Sequence, residues 1–202
     1  MTPFDMEADG ALLDALALRM ETKLTPEARG GLLKFAELVS VWGAKTDLVA
    51  ARTPAALVEI LCLDALVLAQ AFDSGSVVDV GAGAGAPALP LALLQPSLSL
   101  TLVEPRRKRV AFMRTAVGSL GLSSRVRVIE GRSGDITDTF DGAFSRATFE
   151  PREWLERGRT LAPRVGVLLA TESPADLPIL WERRYCTDSG APRHLVVHPG
   201  AP

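Results

Sequence analysis

The sequence predicts an α/β fold: a mostly parallel sheet with helices on both faces, preceded by a helical cap. Three observations predict it. From residue 76 onward, short runs rich in β-branched residues alternate with helical stretches, the pattern of a parallel sheet wrapped by its own crossovers. A glycine-rich turn, Gly81-Ala82-Gly83-Ala84-Gly85, follows the first of those runs and leads into a helix. The first 75 residues contain no such run and read as helical.

The elements follow in order. Residues 11–20 are rich in Ala and Leu, with Leu12, Leu13 and Leu16 expected on one face. Thr25-Pro26 and Thr53-Pro54 each set a hydroxyl at an N-cap and a proline at the first helical position. They open helices expected to end near Trp42 and Phe72, joined through residues 43–52. The apolar stretch 57–71 carries Glu59, Asp64 and Gln70, which argues against a membrane span. Strands are expected at 76–80, 100–103, 126–129, 142–144, 165–169 and 195–197, with helices at 87–94, 106–120 and 152–161. Pro87 and Pro90 fall in a first helical turn, where amide hydrogens have no internal partner and a missing donor costs little. The expected organisation is a cap over 1–75 and a core over 76–198, forming one structural unit, with a loose tail at 199–202.

Hydrophobic residues make up 48% and charged residues 23% of the 202 positions, enough for one well-packed domain. A formal net charge of -2 does not mark a nucleic-acid binder, so any RNA contact requires a local basic patch. The densest basic stretch is Arg106, Arg107, Lys108 and Arg109, followed by Arg114. Arg106, Arg107 and Lys108, together with Arg132, are candidate phosphate contacts. The competing reading is a solvated helix face packed through Val110, Met113 and Val117. Cations in a first helical turn oppose the helix dipole, so another group is expected to hold them there. Cys62 and Cys186 are expected as reduced, buried thiols. No metal site, leader or membrane segment is expected, and the protein is expected to be cytoplasmic. Trp42, Trp154 and Trp181 read as packing residues, and His194 and His198 as structural ones.

The chemistry gathers at the glycine turn. A strand, a tight turn and a helix start bring backbone amides close to a ligand with no Cβ in the way. Glu104 ends the next strand, where a carboxylate can accept both hydroxyl hydrogens of an adenosine ribose. The dinucleotide fingerprint requires glycine at the sixth position, where this chain has Ala86. Glycines at alternate positions with an acidic second strand end instead resemble the class I, Rossmann-like methyltransferases, which implies S-adenosylmethionine as cofactor. Arg146 follows the strand 142–145 at the carboxyl edge of the sheet, where open α/β sheets bind ligands, and is the candidate catalytic residue.

The chain as a whole resembles the glucose-inhibited-division protein B family, the 16S rRNA guanine-N7 methyltransferases, from about Leu24 to Val197. The resemblance rests on Thr25-Pro26, Trp42, Asp47-Leu48, Arg52 and Asp64, then on the cofactor loop from Val78-Asp79-Val80-Gly81 through Pro87-Ala88-Leu89-Pro90. Lys108-Arg109, Phe112, Ser145-Arg146-Ala147 and Arg193-His194-Leu195 continue it. It implies a seven-stranded sheet, 16S rRNA of the small ribosomal subunit as partner, and a cofactor site. That site comprises Asp79, Gly81, Gly83, Gly85, Ala86, Glu104, Ser133, Gly134 and Arg146. Gly81 and Ala86 would line the methionine end, Glu104 the ribose, and Ser133 and Gly134 the adenine, with Arg146 close to the cofactor.

The chain also departs from the family pattern. Gly43, Asp47 and Val49 replace two asparagines and a threonine, Leu61 a histidine, Ala65 a serine and Ala88 a glycine. Gly134 replaces a glutamate and Glu172 a lysine. These departures keep two other readings open. One is a methyltransferase of the same fold with a different RNA or a small-molecule acceptor. The other is a non-catalytic, ribosome-associated cofactor-binding module.

Overall fold

The structure, a computed structural model, describes residues 5–43, 46, 48–51, 53–170 and 177–201. Asp47, Arg52 and Glu172 lie outside the described residues. Three helices lead: α1 (Ala8–Arg19), α2 (Pro26–Gly43) and α3 (Pro54–Ala71). Both threonine caps form, with Thr25 Oγ1 accepting from the Ala28 amide at 3.1 Å and Thr53 Oγ1 from that of Ala56 at 3.2 Å. The inward stripe of α1 is Leu13, Leu16 and Ala17, whereas Leu12, expected with them, is 41% exposed. Helical geometry explains this: at about 100° per residue, Leu12 falls roughly 90° round the helix from the middle of that stripe, at its edge. α3 is long and apolar enough to cross a membrane, yet 67% of it is buried inside the protein, where it packs against α1 and α2 as a core helix.

The strands are β1 (Gly75–Val80), β2 (Leu98–Glu104), β3 (Val126–Glu130), β4 (Gly142–Arg146), β5 (Arg164–Leu169), β6 (Trp181–Cys186) and β7 (Pro192–Pro199). Between them lie α4 (Ala88–Leu94), α5 (Arg107–Ser119) and α6 (Pro151–Leu161). The sheet order is β3-β2-β1-β4-β5-β7-β6. β1 to β5 are parallel, and β7 runs antiparallel to both β5 and β6. The last strand in sequence is therefore an interior one. β6 is the strand that the residue pattern did not reveal. Its charged, alternating sequence pairs with β7 alone, and every second residue is exposed.

Alternation along the strands divides the core. Val77, Leu100, Leu102, Phe144, Leu195 and Val197 gather with α1 to α5, whereas Val78, Val80, Ala143, Val165, Val167 and Val196 gather with α6. Trp154 anchors the thinner layer: its Nε1 donates to Gly166 O at 2.8 Å and its ring stacks on Phe149 at 5.8 Å. Trp42 packs edge-on against Phe112 at 5.5 Å. His194 and His198 are buried on β7, where their ring nitrogens lie 2.8 Å from Glu182 Oε2 and 2.7 Å from Pro178 O.

Two expectations are corrected. Cys62 is buried but Cys186 is exposed, because strand alternation places it on the same side as Glu182 and Arg184. The described tail residues, 199–201, are tied down rather than loose. Pro199 belongs to β7, Gly200 N donates to Pro163 O at 2.8 Å and Ala201 N to Arg159 O at 3.0 Å.

Candidate functional site

β1 reverses its neighbours on the two sides, with β2 on one and β4 on the other, and the crevice this creates lies at the carboxyl ends of the strands. The glycine turn sits there. Gly81 N and Ala82 N both donate to Val103 O, at 2.8 and 3.1 Å, drawing the turn over the end of β2. Gly81, Gly83 and Gly85 have φ of +82°, +59° and +82°, a region that residues with a Cβ rarely enter. Their surroundings differ. A Cβ on Gly81 would lie 2.2 Å from Thr148 Oγ1, and one on Gly85 2.7 Å from Leu89 Cδ1. On Gly83 the nearest atom would be Arg109 Nη1 at 3.7 Å, so its need for glycine is conformational.

Glu104, only 3% exposed, accepts from Gly83 N at 2.9 Å and Arg106 N at 3.0 Å. The same carboxylate thus secures the turn and sits at the amino end of α5. A carboxylate at that end is favourable to the helix dipole. Beneath the turn, Asp79 is 1% exposed, and neither of its oxygens has a hydrogen-bond partner among the described residues. Burial pushes its pKa up to about 8, with the Arg146 guanidinium pulling down and the Glu104 carboxylate pushing up. An orphaned buried carboxyl beside a crevice is the complement of a cationic ligand group.

A cleft of about 620 Å³ opens between the ends of β1, β2, β3 and β4. Of the expected residues, Gly81, Ser133, Gly134 and Arg132 line it. Ser133 and Gly134 lie in a single 3-10 turn, Ser133–Asp135. Gly83, Gly85, Asp79 and Glu104 shape the turn beside the cleft, and Ala86 is buried. Arg106, Arg107 and Lys108 are exposed at the start of α5, next to Pro105 on the cleft wall. Thr148, Phe149 and Arg157 were not expected here. Arg157 reaches from α6 to donate to Ser133 Oγ at 3.1 Å and lies 5.2 Å over the Phe149 ring. Nothing local in the sequence distinguishes it from other helix-surface arginines.

Arg146 lines a second cleft, of about 530 Å³, between α3 and the ends of β4 and β5. Its Nη1 donates to Ile60 O and to Asp64 Oδ2, both at 3.0 Å, and Tyr185 Oη donates to Asp64 Oδ1 at 2.7 Å. Burial, followed by the Asp64 charge, pushes the Tyr185 pKa upward, so the phenol keeps its proton. Sequence reasoning missed Tyr185 because its strand was missed. Leu61 and Ala65, two of the departures from the family pattern, are fully buried and line neither cleft. Among the described residues no group of His, Cys, Asp and Glu is placed to hold a metal ion.

A parallel sheet with one antiparallel strand inserted before its edge, a glycine turn over the second strand and an acid at that strand's end together define a class I S-adenosylmethionine-dependent methyltransferase. The GidB family, rRNA small subunit methyltransferase G, matches residues 30–177. The chain is 35% identical over 182 residues to the ribosomal RNA small subunit methyltransferase G of Stenotrophomonas maltophilia (strain K279a), spanning 84% of this chain and 85% of that one. It is 34% identical over 194 residues to that of Chromohalobacter salexigens, spanning 91% of each. M. capricolum TrmK, solved with S-adenosyl-homocysteine, shares the fold at a TM-score of 0.56, 14% identity and 69% of each chain. The chain belongs to the GidB family, the 16S rRNA guanine-N7 methyltransferases that its sequence resembles.

Proposed function

We propose that this chain transfers the methyl group of S-adenosylmethionine to N7 of a guanine in 16S rRNA, acting on the small ribosomal subunit in the cytoplasm. The observation that carries the reading is family membership over most of the chain. The site supports it through the orphaned Asp79 carboxyl, which suits the cofactor's amino group, and through the turn that Gly81, Gly83 and Gly85 make possible. Glu104 would hold the ribose through the lone pairs its two amide bonds leave free. Ser133 and Gly134 would flank the adenine in the first cleft.

The bound cofactor supplies an electrophilic methyl group on a sulfonium. Guanine N7 carries a free lone pair at neutral pH, so the protein needs no general base and acts mainly by holding the partners in line. In an RNA duplex N7 lies in a deep, narrow groove, so the target base must sit in a loop or be extruded. Arg106, Arg107, Lys108 and Arg132 would contact phosphates around it. Mass spectrometry of 16S rRNA from a strain lacking this chain is expected to show loss of one 7-methylguanosine, restored by the wild-type protein. An unchanged level would remove the reading.

A further inference from the structure

The cofactor reading uses one of the two clefts. They adjoin at Arg146-Ala147-Thr148: Thr148 lines the first, Arg146 and Ala147 the second. Ala147 has φ of 53°, uncommon for a residue with a Cβ, so the chain turns sharply between its two neighbours. Backbone strain of this kind collects at ligand sites.

The second cleft is walled by Ile60 and Leu63 from α3 and by Leu168 and Leu169 from the end of β5. Apolar walls with a few converging polar groups suit a flat ring. Arg146 is one of those groups, and it is held by two acceptors. Its Nη1 is engaged by Asp64 and the Ile60 carbonyl, and Tyr185 fixes the other oxygen of Asp64. A guanidinium has five N–H donors, so Arg146 retains donors for a ligand.

Guanine carries an acceptor, O6, next to N7, whereas adenine presents an amino group there. Opposing donors in a closed site leave polar groups unpaired, which discriminates strongly against adenine. A donor on O6 orients N7 without occupying it. Methylation leaves a positive charge on the ring, and a guanidinium already paired with a carboxylate opposes that charge less than a bare one. We propose that the second cleft is the acceptor site, taking a purine with oxygen at C6. Arg146 reads that oxygen, and Tyr185 acts as a positioning residue that holds Arg146 through Asp64.

The proposal rests on guanine methylation, and nucleotide binding separates the two. Guanosine monophosphate at about 10 mM, ten times a millimolar dissociation constant, is added to labelled protein saturated with S-adenosylhomocysteine. The methyl resonances of Ile60, Leu63 and Leu168 should shift, and adenosine monophosphate should move them far less. Ala56→Trp, at the exposed rim of this cleft, should abolish the response. Tyr185→Phe should weaken it about tenfold, the loss expected for one hydrogen bond to a charged group. It should also narrow the guanosine-over-adenosine preference, which a merely structural tyrosine would not alter. Both variants should keep S-adenosylhomocysteine affinity within about twofold of wild type, under about 0.5 kcal/mol. Shifts confined to residues 131–135, equal responses to the two nucleotides, or a full response in Ala56→Trp would overturn the site. Methylated subunits with no guanosine response in this cleft would refute the site and leave the function standing. Unmethylated subunits with such a response would do the reverse.

Discussion

Asparagine in place of Asp79 keeps the shape of the side chain and removes its charge. The native carboxyl is buried without a partner among the described residues, and its pKa rises from 3.8 to about 8. Between those values the folded protein holds a proton that the unfolded chain has released. Stability from this group is therefore full below the unfolded value and is lost as pH rises toward the folded one. Each unit of separation is worth about 1.4 kcal/mol. Roughly 3 kcal/mol of wild-type stability should thus disappear between about pH 5.5 and about pH 8. Asp79→Asn has no such titration, so it should gain on wild type by about that amount across the interval. Urea unfolding of the cofactor-free proteins at several pH values reads the difference, because the other titrating groups cancel. A difference constant to within about 0.5 kcal/mol would refute the buried, unpaired carboxylate. In the proposed complex the cofactor's ammonium pairs with Asp79. Wild type should then release about one proton per cofactor bound near neutral pH. The variant should release none, as read by calorimetry in two buffers of different ionisation enthalpy.

Gly81→Ala and Gly83→Ala share a left-handed backbone penalty of about 1–2 kcal/mol. Only Gly81→Ala also drives a methyl group into Thr148, so it should lose about 1–3 kcal/mol more, in denaturation and in cofactor affinity alike; equal losses would contradict the geometry. Arg125 donates from Nη1 to Leu98 O at 3.1 Å and from Nη2 to Ala92 O near the end of α4. Arg125→Ala should cost about 2 kcal/mol of stability, with cofactor affinity unchanged once folded. Burial pushes the Cys62 thiol up to about 12, so a thiol reagent near pH 8 should label only Cys186 in the native protein. Labelling of both before unfolding would show that α3 is more open than the structure has it.

Much of the fold was legible because its signals are local. Thr25 and Thr53 cap helices through atoms three residues away, and β-branched runs such as 77–80 mark interior strands wherever they pair. β6 was not legible, because an edge strand with one exposed side need not be apolar, and Trp181–Cys186 reads as a charged segment until β7 lies beside it. The site divides in the same way. Gly81, Gly83, Gly85 and Glu104 were readable from spacing along the chain, since a turn between consecutive strands brings them together.

Arg146 was found, but its neighbourhood was not. Its partner Asp64 is 82 residues away, and Tyr185 is 121 residues from Asp64. The sequence by itself determined the cofactor turn and the family to which the chain belongs. Only the tertiary structure decided that Gly81 is held by its closeness to Thr148 and Gly83 by its backbone angle, that Asp79 is orphaned, and that Arg146 faces a second cleft. The physical reason is that backbone conformation and strand order are set by near neighbours. Burial, charge pairing and cavities arise from residues that meet only when the sheet is assembled.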